Sequence, residues 1–148
     1  MKINHSHGSK ERLFQMMKRV NKLNEEVLST EKRDEIVTEF VKFLNDRLEL
    51  NGDFPSVELS YDKKLAQEMK SFGQYQVEDN KIIVIAINRN LADILRTIAH
   101  EFIHNKQDKE GKLNPNSGET GSDEENEANA LAGVLMRDFG KNNPIIFE

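Results

Sequence analysis

The segment His100-Glu101-Phe102-Ile103-His104 constrains this chain more than any other. It lies within a stretch, about 91–107, whose apolar residues Leu91, Ile94, Leu95, Ile98, Phe102 and Ile103 recur at helical spacing. That set covers much of the circumference, so the spacing predicts a central helix, capped by Asn88 or Asn90. Residues i and i+4 share a helix face, so His100 and His104 can present both imidazoles to a single ion. Glu101 then stands where a base acting on a metal-bound water is needed. Two histidines on a solvated helix face would be the bland reading, and the position of Glu101 argues against it.

Composition narrows which metal site is possible. The chain has 148 residues and no cysteine, so neither disulfides nor thiolate ligands are available. A zinc ion must then be held by histidine and carboxylate, which favours an open catalytic site over a closed Cys-rich structural one. The net charge is -5 with no basic stripe, which excludes nucleic acid as the primary partner. The N-terminus lacks a signal-peptide core and no apolar run approaches membrane length, so no membrane partner and a cytoplasmic location are expected.

Along the chain, residues 1–8 read as a flexible lead-in and 9–148 as a single domain. Its helical part is 9–50 and its core 55–140. Leu13, Phe14, Met17, Val20, Leu23 and Val27 predict a first helix over 9–28. Ile36, Val37, Phe40, Val41, Phe43, Leu44 and Leu48 predict a second over 31–50, capped by Thr30 and stopped at Asn51-Gly52. Phe40, Phe43 and Phe54 are expected in the core. Both N-terminal helices read as packing elements or a partner-docking arm. Strands are expected at 57–59, 72–77 and 82–87, with a short helix between Asp62 and Lys70 and a turn at 78–81. The unbroken apolar run Ile82 to Ile87 implies burial on both faces. A loop spans Gly111–Gly121, and a last helix, about 122–139, turns Ala128, Leu131, Ala132, Leu135 and Phe139 inward, with Gly140 as its stop. The fold class is therefore α+β.

A catalytic zinc usually takes three protein ligands. No histidine follows His104, and His5 and His7 could serve only if the N-terminal arm folded back. The carboxylates opening the last helix are better placed. Glu125 lies two turns before Ala132 on the buried face, and Asn129 one turn after Glu125. Glu124 aligns with Ala128 and Leu131 and competes with it, whereas Glu127 turns toward solvent or a second partner. Ser122 and Glu125 also form a capping box that would occupy Glu125 locally. The residues favour Glu125 and leave Glu124 open.

His100-Glu101-x-x-His104 together with Glu125-Asn126-Glu127-Ala128-Asn129-Ala130-Leu131-Ala132 resembles the gluzincin metallopeptidases, and within them the ImmA/IrrE-like group and small phage-encoded peptidases. The resemblance covers about residues 72–140. It departs where that group often ends Leu-Leu-Met-Pro, here Val134-Leu135-Met136-Arg137. It implies a zincin-like fold, one zinc per chain held by His100, His104 and Glu125, and Glu101 as general base in hydrolysis of a protein or peptide substrate. It also implies that Asn129 orients a ligand histidine and that strand 82–87 is the edge strand to which an extended substrate adds. Tyr61, Tyr75, Asn105 and Arg96 are candidate oxyanion donors. The competing reading is a non-catalytic zincin-fold module that docks a larger partner through its N-terminal helices.

Overall fold

The computed structural model describes Leu13, residues 31–111 and residues 122–147. The chain divides into two compact units, Met1–Thr38 and Glu39–Glu148. In the first, Leu13 and residues 31–38 are described, all helical. The expected lead-in, most of the helix at 9–28, the Thr30 cap and nearly all of the Gly111–Gly121 loop lie outside the described residues. The core anticipated at 55–140 falls wholly within the second unit.

Residues 31–47 are helical, somewhat shorter than the 31–50 expected (α1). The helix gives way to turns in which Glu49, Asn51 and Gly52 take positive φ, and Gly52 N–H donates to the Asn45 side chain. Next come β1 (Ser56–Ser60), α2 (Lys63–Glu68), β2 (Gly73–Gln76), β3 (Lys81–Ile85), α3 (Leu91–Lys109) and α4 (Asp123–Asn142), then a short 3-10 turn, Pro144–Phe147. The architecture is mixed α+β. Among the described residues no helix is long and apolar enough to cross a membrane.

The three strands form one sheet in the order β1-β3-β2, with β1 parallel and β2 antiparallel to β3. Ile82 to Ala86 are all buried, as the unbroken apolar run implies. That same run corrects the edge-strand expectation. β3 is bonded on both sides, with Val57 opposite Ile82 on one and Gln74 opposite Ile83 on the other. A strand whose backbone groups are consumed by two neighbours has no edge to offer a substrate. Among the described residues β1 and β2 each pair with β3 alone, so both are edge strands, and β2 is the one that borders the groove beside α3.

Helix α3 begins at Asn90, whose side chain accepts from Asp93 N–H at 2.9 Å. Arg89 ties this start to the sheet. Its guanidinium donates to Ile85 O, Asp93 O and Thr97 Oγ1, and it lies 4.1 Å from the centre of the Phe72 ring. Ile94, Leu95, Ile98, Ala99, Phe102 and Ile103 are all buried where α3 meets β2, β3 and α4. Phe40 is fully buried as expected and meets Phe139 edge-on at 4.9 Å. Phe43 and Phe54 are only half-buried, flanking Phe139 and Phe102. Arg47 bonds Asp138 at 2.8 Å, joining α1 to α4.

Gly140 does not stop the last helix, which continues to Asn142. It is buried, and a Cβ there would run into the Phe147 ring. A missing side chain at this position makes room for the returning 3-10 turn instead of breaking the helix.

Candidate metal centre

Helices α3 and α4 bring three predicted residues together. His100 and His104 sit one turn apart, and their Nε2 atoms approach to 3.0 Å. Glu125, in the first turn of α4, reaches both: Oε1 lies 3.2 Å from His100 Nε2, and Oε2 lies 2.9 Å from His104 Nε2. All three side chains are about one-fifth exposed, shielded yet open on one side.

The capping conflict resolves because two different groups of Glu125 are involved. Ser122 is the N-cap, and its hydroxyl accepts from Glu125 N–H at 3.1 Å. The Glu125 carboxylate meanwhile extends across to the histidines. Glu124, the competitor, instead offers its backbone carbonyl to Gln107 Nε2 at 3.0 Å. Glu127 also faces Gln107, accepting from Nε2 at 3.1 Å, and Gln107 Oε1 lies 2.7 Å from His104 Nδ1. Asn129, one turn after Glu125, lies beside the His100 side chain and favours its charged form.

The donor set could hold a metal ion. Two imidazole nitrogens and a carboxylate lie within 4.8 Å of one another, and at most one proton can lie between two Nε2 atoms so close. Ligands about 2.0–2.1 Å from a tetrahedral zinc lie roughly 3.3 Å from each other. Separations of 2.9–3.2 Å need only a slight opening to match this. Burial holds His100 below the ordinary histidine range; Glu125 opposes this and His104 adds to it. A neutral imidazole is the form that binds a metal.

An open groove of about 760 Å³ begins beside this cluster, lined among others by Phe72, Gly73, Arg96, Thr97, His100, Glu101 and Asn129. Glu101 therefore faces the groove from the position next to His100. Burial pushes its carboxyl above the ordinary range; His104 opposes this and Glu125 reinforces it. Of the four oxyanion candidates only Arg96 lines the groove. Tyr75 donates to Asn80 at the β2–β3 turn, Tyr61 is exposed, and Asn105 is buried with its Oδ1 unpartnered among the described residues.

Two contributors escaped the sequence reading. Gln107 lies at i+3 from His104, a spacing that places it on the same helix face, and this was the available signal. Gly73 lets β2 approach α3: a Cβ there would lie 2.8 Å from Thr97 Cγ2 and 3.0 Å from Glu101 Cγ. Gly73→Ala should therefore displace Thr97 and Glu101 and cost about 1–3 kcal/mol, the range for overpacking a filled site. Denaturant unfolding measures this, and wild-type stability would show that strand and helix have slack.

No family model, curated protein or solved structure matches this chain.

Proposed function

We propose that this chain is a zinc-dependent peptidase with a zincin-like core, acting on protein or peptide substrates in a cytoplasm. The observation that carries the reading is the convergence of His100, His104 and Glu125 with Glu101 next to them at the mouth of a groove. Sequence separation alone does not require Glu125 to meet the histidines, and the packing of α4 on α3 supplies that meeting.

Zinc held by these three residues would supply a Lewis acid that acidifies water and polarises a carbonyl. Glu101 has the remaining chemistry. Its partly buried carboxylate is a stronger base than a solvated one, suited to take a proton from the attacking water and pass it to the leaving amine. Asn129, beside His100, is our candidate for orienting that ring. The outer edge of β2 borders the groove through Gly73, so an extended peptide can add there as a further strand. Arg96, which also lines the groove, is our candidate for meeting charge developing on a substrate carbonyl.

The test pairs metal analysis with cleavage of a broad peptide library by the full chain, read by mass spectrometry. The expected result is about one zinc per chain, as a three-ligand site implies, with cleavage lost to a chelator and restored by zinc. Failure to take up zinc defeats the proposal. Zinc uptake with no peptide cleaved would replace it with the docking-module reading.

A further inference from the structure

We propose that Gln107, held in place by Glu124 and Glu127, is a positioning residue that fixes which nitrogen of His104 faces the metal. This rests on the metal-site reading above but concerns a residue outside the ligand set. Gln107 is a buried polar side chain, only 2% exposed, so each of its polar atoms needs a partner.

The orientation of its amide follows from those partners. One end lies 3.0 Å from the Glu124 backbone oxygen and 3.1 Å from Glu127 Oε1. A carbonyl and an ionised carboxylate only accept, so this end is the NH2 group, with one hydrogen for each. The other end is therefore the oxygen, and it stands 2.7 Å from His104 Nδ1. An amide oxygen can only accept, so His104 Nδ1 carries the hydrogen. With a metal bound between Nε2 and Glu125 the ring is a neutral imidazole with one N–H, and placing that hydrogen on Nδ1 leaves the Nε2 lone pair for the ion. Nε2 is the atom that faces His100 and Glu125.

The chain from Glu127 through Gln107 to His104 Nδ1 thus does two things. It selects the tautomer that can ligate, and it holds the ring against rotation. The Glu127 charge also polarises the amide, which makes its oxygen a better acceptor and Nε2 a better donor to a cation.

The experiment uses the full chain loaded with zinc and isotopically labelled at histidine. NMR follows the His104 Nδ1 proton, and competition with a chromophoric chelator gives the zinc affinity. Wild type should show one slowly exchanging Nδ1 proton on His104. Gln107→Leu should lose that slow exchange and bind zinc about 10–100-fold more weakly, the usual cost of removing such a partner. The paired change Gln107→Glu with Glu127→Gln exchanges the two ends of the bridge. A carboxylate then accepts from Nδ1 and an amide donates from position 127, leaving only the Glu124 carbonyl without its donor. This pair should recover the slow proton and most of the affinity, which no loss of bulk packing would predict. Wild-type affinity and exchange in Gln107→Leu would overturn the inference. If Gln107→Leu fails to fold, a folded paired variant without the slow proton would overturn it equally. Wild type that takes up no zinc would instead overturn the metal-site reading itself.

Discussion

Glu101→Gln should leave fold and zinc in place while peptide hydrolysis falls by about 10²–10⁴-fold, the usual contribution of a positioned acid–base group. The amide matches the carboxylate in size, so its packing beside Gly73 and Thr97 is preserved. What it loses is the capacity to take a proton. Glu101 is not among the three converging ligand atoms, so the zinc content of the variant should equal that of wild type. The measurement is turnover on the best peptide from the library, alongside zinc stoichiometry and circular dichroism. Turnover within tenfold of wild type would remove Glu101 from the role of base. Loss of zinc along with activity would show that Glu101 contributes to the metal site.

The second large effect concerns Glu125. Glu125→Ala should weaken zinc binding by more than the roughly 100-fold that loss of an outer partner costs, because it removes a ligand and its charge. Glu124→Ala should stay close to wild type, since Glu124 contributes its backbone carbonyl and that group survives the substitution. Thermal unfolding gives an independent readout. Free zinc at a thousand times its Kd stabilises the folded state by about 4 kcal/mol, on the order of 10 °C in Tm for a domain of this size. That rise should appear in wild type and in Glu124→Ala, vanish with chelator, and be absent in Glu125→Ala. Equal zinc affinities in the two variants would sink the assignment of Glu125.

These two expectations have different origins. Glu101 as candidate base came from its place beside His100 in a helical box whose i and i+4 histidines share one face, together with the resemblance that box carries. Glu125 needed more. Its register against Ala132 pointed inward, but Ser122 offered it a local role three residues away. The folded chain satisfies both at once, since the cap uses the backbone N–H and the site uses the carboxylate. A local rule can show that two groups are able to pair. It does not show where the rest of a side chain goes when a neighbouring helix supplies another partner.

The sheet repeats the point. The apolar run from Ile82 announced a strand covered on both faces, and that is how β3 is built. Which neighbours flank it is a long-range matter, because strand order depends on pairings between distant segments. The edges therefore fell to β1 and β2, and the mixed composition of β2, Gly73-Gln74-Tyr75-Gln76, gave little sign of it. Gly140 misled in the opposite direction. Glycine is a fair stop signal for an isolated helix, but here the Phe147 ring occupies the space its side chain would take.

By itself the sequence determined the α+β class, the helix carrying His100, Glu101 and His104, and the need for a carboxylate ligand in a chain without cysteine. Those are consequences of local periodicity and of which donor atoms exist. The tertiary structure alone decided that Glu125 meets both histidines, that β2 borders the groove, and that Gln107 meets His104 Nδ1. Each of these depends on groups from separate helices or strands meeting in space. Packing places them there, and no spacing within one segment encodes it.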